Sequence, residues 1–550
     1  MNNIKPPFIG GVSYALFTFF LALYFTIVLN IPVYKELTSI LNSLEFVKLG
    51  FVLSIPIFFL AAINFLFNLF SWPYLIKPFF ISLVILSSLV SYAGINYGVM
   101  FDYGMIENVI ETDSSEASAY LSLYSCTWVL LLGLLPSYAI YKVRLKPITS
   151  VLNFIAAKLA SMILSLVAIG IIAAGYYQDY ASVGRNNSHL RKLIIPTQFV
   201  YSTVGYVKEK YFTVPIPYRF IGVDAQQSNK ALIAANEKPN LVVLVVGETA
   251  RTQNYELNGY EKPTNAYTRD LGVISYKDVE ACGTATAISV PCMFSNFTRD
   301  NFERKRADNQ DNVLDILKRA GVSLLWKEND GGDKDVAKHI NKFEIDRSRK
   351  DELCNGNTCY DMALLEGFEE DVLTMSGNRL ITLHLIGSHG PTYFQRYPKN
   401  MAKFLPDCPR ADIENCSIDE LVNTYDNTIL YTDYVIAQTI SKLQKLEDRY
   451  NTALIYISDH GESLGENGLF LHGMPYSLAP DFQTKVPLMV WMSPNFSDEK
   501  NINVNCLKAN SELKERYSQD YIFHSLLGVM DVETKAYDRN LDLFATCRES

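Results

Sequence analysis

Charge is scarce in this sequence. Asp, Glu, Lys and Arg make up only 19% of its 550 residues, while 49% are hydrophobic. The formal net charge is −9. That balance excludes a nucleic-acid-binding reading, because phosphate contacts need clustered Lys and Arg. A slightly positive mean hydropathy excludes an intrinsically disordered chain. No CxxC occurs, which disfavours a cysteine zinc site. The length exceeds one ordinary domain and implies two or three.

The scarcity is uneven. Residues 1–178 hold 8 Lys/Arg and 7 Asp/Glu, which leaves 41 basic and 51 acidic residues beyond them. Five stretches lack all four charged types for at least 20 residues: Pro6–Tyr34, Leu49–Ile76, Pro78–Phe101, Ala117–Tyr141 and Leu159–Gln178. Each is long enough to cross a bilayer as a helix, which takes roughly 20 apolar residues. Buried soluble helices are the ordinary alternative, but five such runs in succession offer water no polar face. The first run is too long for a signal-peptide core and reads as an uncleaved span.

Loop charge sets the orientation. Lys142, Arg144 and Lys146 follow the fourth run and place that loop in the cytoplasm. Asp102, Glu107, Glu111, Asp113 and Glu116 follow the third with no basic residue between them, so that loop is outside. The N-terminus is then inside and everything after Gln178 outside. Cysteine usage agrees. Cys282/Cys292, Cys354/Cys359 and Cys408/Cys416 form close pairs in the polar region and read as disulfides of an oxidising compartment. Cys126 lies in a span, and Cys506 and Cys547 are left over. The expected organisation is a five-span helical membrane domain over 1–178, an amphipathic connector over 179–238, and an outer α/β domain over 239–550. The connector alternates Arg185, Arg191, Lys192, Lys208, Lys210 and Arg219 with Tyr201, Tyr206, Tyr211, Phe212, Tyr218 and Phe220. That pattern suits a bilayer headgroup region, and a plain linker is the equal alternative.

Three apolar runs in the outer region read as strands buried on both faces: Leu241–Val246, Leu380–Ile386 and Ala453–Ser458. Helical patterns lie between them, as in Asp311–Ala320 and Ile418–Glu447, which points to an α/β fold. Ligands gather beyond the carboxyl ends of such strands. The three ends carry Glu248, His389, and Asp459 with His460. One such residue is usually a turn or cap; three ends together point to a divalent metal. Carboxylate and imidazole donors suit zinc best, with manganese as the alternative. A hydroxyl nucleophile is expected in the small-residue segment Cys282–Cys292. Thr284, Thr286 and Ser289 all compete for that role, against a plain Ser/Thr cap.

GETAR at 247–251, CGTATAISVPCMFS at 282–295, SHGPTY at 388–393 and SDHGESLGENGLFLHG at 458–473 resemble the inner-membrane phosphoethanolamine transferases. Among these, the lipid A-modifying enzymes, including the mobile colistin-resistance group, are the most similar. The resemblance covers essentially the whole chain and implies a periplasmic domain of alkaline-phosphatase/sulfatase type. It implies that Thr286 is the nucleophile and that Glu248, Thr286, Asp459 and His460 bind zinc. It places His389, His472 and Lys334 on the substrate phosphate or a further zinc. His384 then points elsewhere or supports a ligand. It also places Asn108, Thr112 and Glu116 on the donor lipid's headgroup. Those three share one helical face, which otherwise reads as a solvated stripe. Asp333 and Ala337 stand where many relatives carry a further cysteine pair, which leaves that loop without its covalent tie.

The implied reaction moves phosphoethanolamine from phosphatidylethanolamine to Thr286, then to a phosphate of lipid A, by a monomeric, zinc-dependent, membrane-anchored enzyme. Lower susceptibility to polymyxins would follow. The alternatives are a transferase for another acceptor (a core sugar or a periplasmic glucan) or for phosphoglycerol, a membrane-anchored phosphodiesterase or sulfatase, and a non-catalytic sensor.

Overall fold

The structure is a computed structural model that describes the backbone of residues 11–42, 44, 47–112, 114–513 and 517–548. The chain forms two compact units. One comprises residues up to Ile106 together with Leu121–Lys208; the other comprises Glu107–Tyr120 together with the chain from Glu209 onward.

The first unit is helical. Among the described residues, four helices are long and apolar enough to cross a membrane: Leu49–Phe70, Ile76–Asn96, Leu123–Lys142 and Val151–Asn186. A fifth span exists if the pair Tyr14–Leu29 and Ile31–Asn42, bent by 56°, is taken as one. The bend has an identifiable cause. The pair breaks at Asn30, whose side chain donates to the carbonyls of Phe25 and Ile195 and accepts from the Ile195 amide. A π-helical turn precedes it over Phe25–Leu29. Phe17, Leu21, Phe25, Phe67, Phe80 and Val84 form the apolar centre of this unit. Lys158 is buried, with its ammonium 3.7 Å over the Trp72 ring and donating to the Ser71 carbonyl.

In the second unit, helix α1 (Asn229–Glu237) leads into a seven-stranded sheet. In chain order its strands are β1 (Asn240–Gly247), β2 (Ile274–Tyr276), β3 (Ser323–Glu328), β4 (Asn341–Glu344), β5 (Arg379–His384), β6 (Asn451–Ser458) and β7 (Leu488–Met492). Their spatial order is β2-β7-β6-β1-β5-β3-β4. The five strands from β6 to β4 run parallel; β7 is antiparallel to both β6 and β2. Every residue of β1, β5 and β6 is buried, as covered parallel strands require. Val242, Leu244, Val246, Ile455 and Ile457 share one core with Val290, Met293, Phe294, Leu526 and Leu527. Those partners come from helix α2 (Thr286–Phe294) and helix α4 (Asp520–Val529). Between these two in sequence, helix α3 (Ile418–Lys445) packs against β6. A capping box of Ser417 with Glu420 starts α3, and Lys442 and Lys445 in its last turn suit the negative end of its dipole.

The cysteine pairs are Cys282–Cys292, Cys354–Cys359, Cys408–Cys416 and, with no pairing expected from the sequence, Cys506–Cys547. Cys126 is free.

Candidate functional site

The parallel strands β1, β5 and β6 end at the same level of the sheet, so their next residues converge. Gly247 pairs with Ser458, and Glu248 and Asp459 follow directly. Two glycines permit the close approach. Gly387 has φ +47°, and an added Cβ there would lie 2.6 Å from the Glu248 carbonyl oxygen. At Gly461 it would lie 2.1 Å from the Phe482 carbonyl oxygen. Thr249 adopts φ +58°, a conformation that costs a non-glycine residue ~1 kcal/mol or more. It is held there from three sides. Its amide donates to Asp459 Oδ1 at 3.0 Å, its hydroxyl donates to Glu248 Oε1, and its carbonyl accepts from Tyr425 at 2.7 Å.

Glu248, Asp459 and His460 are fully buried and meet. His460 Nδ1 lies 2.9 Å from the Gly461 carbonyl, which can only accept, so Nδ1 carries the proton and Nε2 presents a lone pair. That nitrogen lies 3.3 Å from Asp459 Oδ2 and 3.5 Å from Glu248 Oε1. Lone pairs therefore face lone pairs. Asp459 Oδ2 has no hydrogen-bond partner. Burial holds the His460 pKa down at about 4, so its contact with Asp459 is not an ion pair near neutrality. Burial, reinforced by Asp459 and Asp330, pushes Glu248 well above the usual carboxylate range. Burial would also raise Asp459, but His460, Glu248 and two backbone amides hold it low. A divalent cation fits this set. Donors around a tetrahedral ion with bonds of about 2.1 Å sit about 3.4 Å apart, close to the separations present.

Thr286 opens helix α2 and extends its side chain into the cluster. Its Oγ1 donates to Glu248 Oε2 at 3.2 Å and lies 3.4 Å from His460 Nε2. The two competing hydroxyls are engaged elsewhere. Thr284 donates to the Met474 carbonyl at 2.6 Å, and Ser289 accepts from the Gly283 amide at 3.0 Å. The disulfide Cys282–Cys292 ties the segment before Thr286 to the end of its helix. Gln519 joins the segment to β6. It accepts from the Cys282 amide and donates to the carbonyls of Ser458 and Asp459.

The His472 ring lies tilted beside that of His460 with centroids 4.4 Å apart, and the His389 ring lies 5.9 Å from that of His472. Glu462 holds His472 Nδ1 at 3.0 Å and also accepts from the Tyr393 hydroxyl. Asp361 accepts from the amides of Ile386 and Gly387, which fixes the turn that carries His389. Lys334 follows β3 at φ +47°. Burial raises the Asp330 carboxyl, against the pull of His384 first and then of His389 and Lys334. Asp333 accepts from the Ala337 amide at 2.8 Å and from Lys342 Nζ at 3.0 Å. A polar tie thus spans the two positions that the family resemblance assigns to cysteines.

Asn108 and Thr112 lie at the end of the helix Tyr103–Glu111, where Thr112 Oγ1 donates to the Asn108 carbonyl at 2.8 Å. The side chain of Glu116 lies outside the described residues. The segment Glu107–Tyr120 belongs to the same compact unit as the site. Arg304 makes the connection. It donates to the Ala287 carbonyl in the first turn of α2 and pairs with Glu111 at 3.4 Å and Asp308 at 2.7 Å.

Sequence reasoning alone does not find Arg304, Gln519, Glu328, Asp330 or Glu462. Asp330 carries a usable signal, since it follows a strand as the other acids do. Arg304 and Gln519 carry none, because they act across the fold.

Comparison with known proteins agrees with this architecture. The sulfatase family matches residues 240–532. The family described as phosphoethanolamine transferase EptA/EptB matches residues 59–211. Phosphoethanolamine transferase EptA of Escherichia coli K12 is 36% identical over 545 residues, 99% of this chain and 98% of that protein. Phosphatidylethanolamine transferase Mcr-1 of Escherichia coli is 35% identical, over 94% of this chain and 96% of that protein. The integral membrane protein lipooligosaccharide phosphoethanolamine transferase A of Neisseria meningitidis superposes with a TM-score of 0.92 at 36% identity, over 98% of this chain and 99% of that one. With membrane helices, a sulfatase-like domain and full-length relatives all in agreement, the chain belongs to the phosphoethanolamine transferases, as a multi-pass membrane enzyme.

Proposed function

We propose that this enzyme moves phosphoethanolamine from phosphatidylethanolamine to a phosphate group of lipid A, with Thr286 as the covalent carrier. The observation that carries the reading is Thr286 Oγ1 within 3.2 Å of Glu248 Oε2 and 3.4 Å of His460 Nε2, at the start of a helix. A hydroxyl aimed at a buried carboxylate has a direction for its proton, and the backbone amides of the first helical turn face an incoming anion.

In the first step Thr286 Oγ1 attacks the donor phosphorus. The bond from phosphorus to the diacylglycerol oxygen breaks, and diacylglycerol leaves carrying a proton. In the second step a lipid A phosphate oxygen attacks the same phosphorus, the bond to Thr286 Oγ1 breaks, and the proton of the attacking phosphate passes to Oγ1 to restore the hydroxyl. Glu248 Oε2 receives the hydrogen bond from Thr286 and orients the hydroxyl. His472, steered by Glu462, and His389 are placed to pass the proton to the departing oxygen. Lys334 offsets negative charge on the phosphate. Asn108, Thr112 and Glu116 bind the donor headgroup. Glu248, Asp459, His460 and Thr286 would hold a divalent cation, zinc by donor chemistry, which lowers the hydroxyl pKa and offsets charge on the phosphoryl oxygens.

Both substrates are lipids. An anchored enzyme meets them by lateral diffusion, without extracting either from the bilayer. The catalytic unit works in the periplasm as part of a monomer. The C-terminal periplasmic domain of phosphoethanolamine transferase EptC from Campylobacter jejuni, 40% identical over 59% of this chain, supports that placement. Expression in a polymyxin-susceptible host tests the acceptor. The expected result is lipid A heavier by one phosphoethanolamine and a raised polymyxin tolerance. Unmodified lipid A, with the group on a core sugar or free in solution, would overturn it.

A further inference from the structure

Beside the Thr286 cluster lies a second set of metal-capable side chains, in which Glu248 is joined by two residues the transfer mechanism does not use, Asp330 and His384. His384 closes β5 and is completely buried. Its Nδ1 lies 2.8 Å from Glu328 Oε2, at the end of the neighbouring strand β3. That carboxylate is itself fixed. Its Oε2 accepts from Trp326 Nε1, and its Oε1 accepts from the amides of Asp330 and Gly331. The Trp326 ring packs edge-on to His384 at 5.4 Å. Glu328 therefore sets both the ring orientation and the Nδ1 proton.

The other nitrogen is left over. His384 Nε2 is buried and has no hydrogen-bond partner. It faces Asp330 Oδ2 at 3.8 Å, too far for a hydrogen bond. Asp330 Oδ1 is also buried without a partner. Ligand atoms of His384, Asp330 and Glu248 all lie within 4.8 Å of one another. A buried unpartnered nitrogen aimed at two carboxylates, with its opposite nitrogen on a third, is the arrangement that steers a metal-ligating histidine.

Charge points the same way. Glu248, Glu328, Asp330 and Asp459 bring four carboxylates into one buried region. One divalent ion at Asp459 and His460 leaves two negative charges there. Of the groups that favour ionised Asp330, His384 acts most strongly, ahead of His389 and Lys334, and Lys334 is partly exposed, so its charge is shared with solvent. Buried carboxylates are costly unless positive charge pairs with them, and either a second cation or a protonated His384 would supply it.

We propose a second divalent-cation site formed by His384 Nε2, Asp330 and Glu248, with the Glu248 carboxylate shared between it and the Thr286 cluster. One imidazole and two carboxylates suit zinc or manganese over magnesium or calcium. Because Glu248 is shared, the role of the second ion is to fix the carboxylate to which the Thr286 hydroxyl donates. The competing account is an imidazolium at His384 that balances the acids with no metal.

The test uses the full-length detergent-solubilised enzyme, stripped with chelator and reloaded with zinc chloride alone. Bound zinc is counted by elemental mass spectrometry, and zinc-soaked crystals are measured at the zinc absorption edge. Wild type is expected to hold one equivalent more than either His384→Gln or Asp330→Asn, and both variants to keep the ion at Asp459 and His460. The wild-type anomalous map is expected to show a peak bounded by Glu248, Asp330 and His384. Equal zinc counts in all three proteins, or a wild-type map without that peak, would overturn the proposal in favour of the imidazolium. The map decides even if both variants fail to fold. The transfer reading fails separately, if wild type forms no adduct at Thr286 whatever its zinc content.

Discussion

Arg304 donates from Nη1 to the carbonyl oxygen of Ala287, the residue that follows Thr286. Its guanidinium is buried, and the same group pairs with Glu111, beside Thr112. One side chain therefore registers the nucleophile's helix against the segment proposed to hold the donor headgroup. Its pKa lies above the usual value: burial opposes this, but Asp308 and Glu111 prevail. The guanidinium stays charged at every working pH.

Arg304→Ala is expected to lower kcat/KM for the donor by about 10–100-fold, since small misplacements of reacting groups cost that much. Arg304→Lys keeps the charge but loses the planar fork, and is expected to recover only part of the loss. Steady-state kinetics on phosphatidylethanolamine in mixed micelles checks both. Full activity in Arg304→Ala would remove the registering role.

Glu107 gives a pH signature. Burial raises its carboxyl to about 7, against the pull of Arg304 and with the push of Glu111. Its Oε2 is buried without a partner. Between about 4.5 and 7 the folded protein holds a proton that the unfolded chain has released. The stability tied to this group is fully present below about 4.5 and is lost as the pH rises through about 7. Its size is ~3 kcal/mol at most. Glu107→Gln is expected to raise the melting temperature more at about pH 8 than at about pH 5. An equal shift at both values would contradict this.

The bridge Cys282–Cys292 closes a short loop around Thr286. Replacing both cysteines by serine is expected to cost about 2–4 kcal/mol. The activity loss should exceed that of the double replacement Cys408→Ser/Cys416→Ser, which lies away from the nucleophile's segment. Thermal melts and turnover on the two proteins, side by side, test the difference.

Much of the fold is legible in the chain, for physical reasons. Leu241–Val246 and Ala453–Ser458 read as buried strands because their apolar residues do not alternate, and the sheet buries both faces of each. β3 does not read that way. Its sequence, SLLWKE, carries Lys327 and Glu328, and both are buried. Lys327 is neutralised by Asp371 at 2.7 Å, and Glu328 is hydrogen-bonded by His384 Nδ1 at 2.8 Å. Those partners lie 44 and 56 residues away, beyond any local pattern. With β3 unread, Asp330 beyond its end goes unread too. His384, expected to point elsewhere or to support a ligand, is where that gap shows most.

The membrane runs are legible by charge, but their helices obey other rules. The helix Leu123–Lys142 begins six residues inside the run that starts at Ala117, because Ser122 caps it with Ser125. The helical segment Val151–Asn186 kinks at Tyr176 (φ −135°, ψ 19°) and runs on past Gln178, since absence of charge measures apolar thickness and not helix length. Cys506–Cys547 spans 41 residues and leaves no local cue.

The central claim is that Thr286 carries the phosphoethanolamine. Intact-mass measurement of the purified enzyme after incubation with phosphatidylethanolamine, followed by peptide mapping, addresses it directly. The account predicts a gain of one phosphoethanolamine on Thr286, absent from Thr286→Ala and from chelator-treated protein. An unchanged mass during active turnover, or the group on another residue, would contradict it.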